Sequence, residues 1–181
     1  MKNFLLFTWF LFFMCGLAAQ TNNPVSPAVD WTYSAGPATA NGYTLSFKAN
    51  IAKGWKLFSS SMKDDEPNTR IRFDSASQAL LTVTGSKETG DLKSSKESLL
   101  GDLPIRYFED NATISLTLQA GQTNKDLKGV ISYMAIKGDS VIGPEEVPFR
   151  FSFDASGRLM SKQGGLTESK DAAQSLKRTH I

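Results

Sequence analysis

The sequence predicts an all-β domain folded as an antiparallel sandwich, and three observations carry that prediction. Short segments alternating apolar with polar residues recur between about residues 29 and 154. Gly, Asn, Asp and Pro stand between them, where chain reversals need them. No window in this region carries a long apolar stripe at helical spacing, so the elements are strands, and many short strands bury their apolar faces by packing sheet on sheet.

Taken in order, the predicted strands begin with residues 29–34, around Trp31. Residues 42–51 read Gly-Tyr-Thr-Leu-Ser-Phe-Lys-Ala-Asn-Ile, and residues 55–59 follow a turn at Gly54. Residues 69–73 place Ile71 and Phe73 on one side and Arg70 and Arg72 on the other, the signature of a strand with one wet face. Residues 80–84, 105–109, 112–118, 129–136 and 147–153 complete the set. Residues 85–96 are rich in Lys, Ser, Gly and acids and read as an exposed loop. About 125 residues suffice for one core without disulfide staples. Trp31, Phe47, Trp55, Leu57, Phe73, Ile114, Leu116, Tyr133 and Phe151 are the expected core.

The flanks read differently. Residues 1–19 have the parts of a secretory signal peptide: Lys2, an apolar run from Phe4 to Met14 broken by Thr8, and the small residues Gly16-Leu17-Ala18-Ala19. The run is shorter than the roughly 20 apolar residues that span a bilayer. Cleavage near Gln20 is therefore expected, with a periplasmic or secreted product of the bacterial cell envelope. The single cysteine, Cys15, lies in this leader. It is preceded by Phe13 and Met14 rather than small residues, so lipidation is the disfavoured alternative. Residues 20–27 form a polar lead-in, 28–154 the sandwich domain, and 155–181 a tail too poor in apolar residues to order itself, with a short helix at 167–176 as the alternative there.

Composition excludes several functions. The chain holds 20 basic and 18 acidic residues, and a net charge of +2 gives no concentrated basic face for nucleic acid. The one histidine, His180, falls in the tail, so no catalytic triad and no His-based metal site can be built within the domain. A mature chain without a thiol cannot do cysteine chemistry. No phosphate-binding glycine loop or dinucleotide fingerprint is present. Asp64-Asp65-Glu66 matches no defined calcium loop and reads as a solvated turn. Adjacent strand residues face opposite sides, so Glu145 and Glu146 do not make an acid–base pair; one should lie buried or at an edge and the other exposed. Asn111-Ala112-Thr113 fits a glycosylation acceptor, but Asp110-Asn111 reads better as a turn opening the next strand. No catalytic residue, cofactor or metal ligand is assigned.

Two stretches carry a family pattern. Gly54-Trp55-Lys56-Leu57-Phe58-Ser59 resembles the Gly-Trp-His-Leu-Tyr-Ser segment of the N-terminal periplasmic domain of DsbD thiol:disulfide interchange proteins. Lys128-Gly129-Val130-Ile131-Ser132-Tyr133-Met134-Ala135, followed by Gly143-Pro144-Glu145-Glu146-Val147, resembles that family's Gly-x-x-x-Tyr-x-x-Cys…Cys-x-Pro-Pro-Glu block. Tyr107-Phe108-Glu109 between them also fits, and the resemblance covers roughly residues 28–154. It implies an immunoglobulin-like antiparallel β-sandwich. In the family, one cysteine pair passes electrons from a membrane partner to periplasmic oxidoreductases. Those cysteines would fall at Ile136 and Val141, which flank Lys137-Gly138-Asp139-Ser140, read as a four-residue hairpin loop. The shielding cap loop would fall on Ser98-Leu99-Leu100-Gly101-Asp102, with leucines where the family places an aromatic ring.

The expected function is thus an exported, non-catalytic protein-binding or adaptor domain, with Ile136, Val141, Leu99 and Leu100 as apolar anchors at the former redox hairpin and cap. The alternative is an accessory or docking role in thiol:disulfide interchange. Either reading implies an envelope partner, with a thioredoxin-like or DsbD-type membrane protein as the candidate. Neither implies nucleic acid, nor a membrane span after signal cleavage.

Overall fold

A computed structural model describes residues 27–37, 42–120 and 125–162. The leader with Cys15, most of the lead-in, the 167–176 segment and His180 lie outside the described residues. Eleven strands form among the described residues: β1 (Val29–Ala35), β2 (Tyr43–Ile51), β3 (Lys56–Phe58), β4 (Thr69–Phe73), β5 (Leu81–Gly90), β6 (Lys93–Glu97), β7 (Leu103–Phe108), β8 (Asn111–Ala120), β9 (Leu127–Lys137), β10 (Ser140–Phe153) and β11 (Leu159–Ser161). A four-residue helix, α1 (Ser75–Gln78), follows β4, and a 3-10 turn covers Ser98–Leu100.

The strands build two antiparallel sheets. The smaller runs β1-β2-β8-β5; the larger runs β11-β10-β9-β3-β7-β6, with β4 pairing beside β3 along β9. Side chains alternate across each pleat, so each sheet offers one face to the other. In β2, Tyr43, Leu45, Phe47, Ala49 and Ile51 are all buried. Aromatic rings from both sheets meet in the middle: Trp31 lies 5.8 Å from Tyr133, Phe47 4.9 Å from Phe149, and Tyr33 5.3 Å from Phe151, centroid to centroid. The molecule is an antiparallel β-sandwich. Of the nine expected core residues, eight are buried; Trp55, at the mouth of β3, is half-buried against the same core.

Three sequence expectations need correction. Residues 85–96 are not a loop. β5 continues to Gly90 along β8, and after Asp91-Leu92 the chain enters β6 in the other sheet. Both are edge strands, and an edge keeps polar side chains on faces that a central strand would bury. The ordered domain also runs past Asp154. β11 pairs Leu159 with Phe153, and Leu159 is buried where the sequence suggested the start of a tail. Finally, the β9–β10 hairpin has a two-residue loop, Gly138-Asp139, because Lys137 and Ser140 already face each other as strand partners. Gly138 takes a positive φ of 53° at the first loop position, where tight hairpins favour glycine.

Candidate interaction surface

The larger sheet is apolar on both faces at one end. Leu57 in β3 faces Phe108 in β7 and Ala135 in β9, and all three belong to the central core. Their chain neighbours point the other way, out of the sandwich. There Phe58, Tyr107, Ile105 and Ile136 form a second buried cluster with Met62, flanked by the partly buried Leu100, Leu103 and Met134.

Two covers lie over this outer cluster. The first is the segment between β3 and β4, which carries Met62. Arg70 fastens it by donating to the carbonyls of Ser60 (2.7 Å) and Met62 (2.6 Å) and to the Asp64 carboxylate (2.9 Å). Glu88, from β5 of the smaller sheet, accepts from Ser59 Oγ and Ser60 N–H, each at 2.6 Å. Met62 Sδ accepts the Arg106 N–H at 3.3 Å. The second cover is the Ser98–Leu100 turn, which sets Leu100 against the cluster. Glu97, at the start of that turn, is paired with Lys56 of β3, whose ammonium also sits 4.8 Å from the Tyr107 ring centre. The shared hydrogen bond raises the Lys56 pKa and lowers that of Glu97 from their ordinary values.

The four anchors expected from the sequence divide. Val141 faces Ile136 directly across the β9–β10 pair, so the two positions do meet as cross-strand partners. Val141 is 38% exposed and Leu99 is 50% exposed, whereas Leu100 is half-buried. Ile136 is the correction: at 1% exposure it is a core residue of the outer cluster. The sequence signal for this is the near-continuous apolar run Tyr133-Met134-Ala135-Ile136, which a strand buried on both faces requires.

The remaining candidates resolve as structure. Asp64 and Glu66 are engaged by Arg70 and Lys63, and no group of three or more potential ligands for a metal occurs among the described residues. Asn111 opens β8 directly after Asp110, whose φ of 62° makes the turn. Glu145 and Glu146 are both exposed, because β11 pairs only with Phe151–Phe153 and leaves β10 an edge at that point. Burial, with Glu145 nearby, raises the Tyr133 phenol above its ordinary pKa. Gly143 answers a close approach: a Cβ there would come within 2.5 Å of the Tyr133 carbonyl oxygen. It sits in the bulge between Ile142 and Glu145, with a positive φ of 102°.

The chain is similar in fold to the N-terminal domain of DsbD. The crystal structure of that domain from Neisseria meningitidis, in the reduced form, aligns with a TM-score of 0.47 and 14% identity, covering 78% of this chain and 98% of that one. The N-terminal periplasmic domain of ScsB from Proteus mirabilis aligns with a TM-score of 0.45 and 12% identity, over 84% of this chain and 59% of that one. No family model and no curated protein matches the chain. Among the described residues, no helix is long and apolar enough to cross a membrane.

Proposed function

We propose that this protein is an exported, non-catalytic protein-binding or adaptor domain, docking its partner at the rim of the outer cluster. The observation that carries the reading is the placement of Val141 and Leu99. Both are large, apolar and exposed beside a cluster whose other apolar residues are buried or partly buried. Val141 borders it from the β10 side and Leu99 from the cap turn, while Ile136 and Leu100 support them from below. A contiguous exposed apolar patch is what marks a protein contact site, and Val141 and Leu99 would be the residues that supply it here. Ile and Val stand where the resembled family has its cysteines, and thiol–disulfide exchange needs a thiolate to attack. This chain's only cysteine is Cys15, in the leader.

The partner most consistent with the sequence motifs is a thioredoxin-like or DsbD-type membrane protein, which would give the domain a docking role in thiol:disulfide interchange. The test is crosslinking capture from bacterial envelope extract with the native protein and a Leu99→Asp/Val141→Lys variant. Both substitutions are at exposed positions, and a thermal melt confirms folding. Recovery of such a partner by the native protein alone is the expected result. Identical recovery by both proteins removes the surface from consideration.

A further inference from the structure

We propose that the outer edge of β6 is a self-association surface, on which a second copy of this chain lays its own β6 antiparallel to the first. The proposal goes beyond the docking reading: its pairing element is β6, and it shares only Leu99 with the docking surface. β6 ends the larger sheet, with β7 on one side and no strand on the other among the described residues. Such an edge is a template for pairing, and natural proteins usually blunt it with charge. The charges of β6, Lys93-Ser94-Ser95-Lys96-Glu97, are arranged to match themselves instead.

A two-fold axis through Ser95 sets the register. An axis through Ser95 sets residues at equal distances from it directly opposite each other and on one face, so Lys93 lies opposite Glu97 of the second copy, and Glu97 opposite its Lys93. Opposite charges directly across an antiparallel pair stabilise it, and here the pair occurs twice. Ser94 lies opposite Lys96 on the other face, so no like charges oppose each other. This is an isologous contact, closed by its own symmetry.

The residues flanking β6 support the same register. Only five large apolar side chains are exposed among the described residues, and two of them bracket β6: Leu92 at 38% before it and Leu99 at 50% after it. The antiparallel register places Leu92 of one copy beside Ser98-Leu99 of the other, at both ends of the ribbon. The pairing thus brings each exposed Leu92 next to the partner's Ser98–Leu100 turn. An edge of five residues makes a small interface, below the roughly 1,200 Å² of standard complexes, so association is weak and concentration-dependent.

Sedimentation velocity over a wide concentration range tests this. The average mass of the native protein should rise from one chain toward two as concentration increases. Lys93→Glu and Glu97→Lys should each abolish that rise. The combined reversal K93E/E97K should restore it, because unlike charges then stand opposite each other again with their signs exchanged. Lys93 and Glu97 also make ion pairs within the chain, with Glu109 and Lys56. Leu92→Asp, which touches neither pair, should therefore weaken association as well, with far-UV circular dichroism confirming the fold of each variant. A native protein that stays one chain at every concentration overturns the proposal. So does association that is indifferent to the single reversals, or a folded double reversal that does not recover it.

Discussion

The guanidinium of Arg70 directs its donors at backbone carbonyls of the segment that carries Met62, rather than at solvent. Lysine keeps the charge but not the planar fork, so Arg70→Lys leaves the Ser60 and Met62 carbonyls without a matched donor. The expected cost is about 1–3 kcal/mol, read by urea unfolding. Ile136 and Val141 give a sharper contrast at the same scale. They are direct partners of similar size, yet one is buried and the other exposed. Ile136→Ala should cost about 2–5 kcal/mol, the range for truncating a core side chain, whereas Val141→Ala should cost below about 1 kcal/mol. Equal costs in the same unfolding experiment would mean that Ile136 is no more covered than Val141.

At the scale of elements, the cap turn depends on the Lys56–Glu97 pair joining it to β3. Because folding lowers the pKa of Glu97, the stabilisation from that carboxylate is present above its unfolded value near pH 4.3 and is lost as pH falls through the folded value. Because folding raises the pKa of Lys56, its contribution is present below about pH 10.4 and is lost as pH rises through the folded value. Glu97→Gln should therefore lower the melting temperature at neutral pH. The difference from native protein should shrink in acid, as the native carboxylate also becomes neutral. A difference that is constant from pH 7 to pH 3 would assign the effect to packing rather than to charge.

At the scale of the whole molecule, the sandwich extends to β11, which buries Leu159 and brings up the Gly157 and Lys162 carbonyls as acceptors for the Tyr43 and Tyr33 hydroxyls. Ending the chain at Asp154 should cost about 3–5 kcal/mol, from one emptied core position and two lost hydrogen bonds, measurable as a lower unfolding midpoint. Central strands were legible in the sequence because each carries a run of alternating or continuous apolar residues, as 43–51 and 129–136 do. β6 and the second half of β5 were not, since Lys, Ser, Thr and Gly at a sheet edge look the same as in a loop. β11 has three residues and one buried side chain, too little pattern to detect. The candidate surface was half legible. The opposition of Ile136 and Val141 followed from hairpin spacing, but which of the two is covered depends on the Met62 segment and the cap turn, whose folding back over the sheet leaves no periodic trace.

β3 has only three residues, yet it pairs with β7 on one side and β9 on the other, and sends Leu57 into one hydrophobic cluster and Phe58 into the other. Its few amides are therefore the common wall of two compartments. Opening both covers would uncover Phe58 while leaving Leu57 packed, and opening the sandwich would do the reverse. In deuterium exchange, the Leu57 and Phe58 amides should accordingly be among the slowest in the chain, yielding only when both compartments open together. The shortest central strand is thus the place where the protein's cooperativity can be timed.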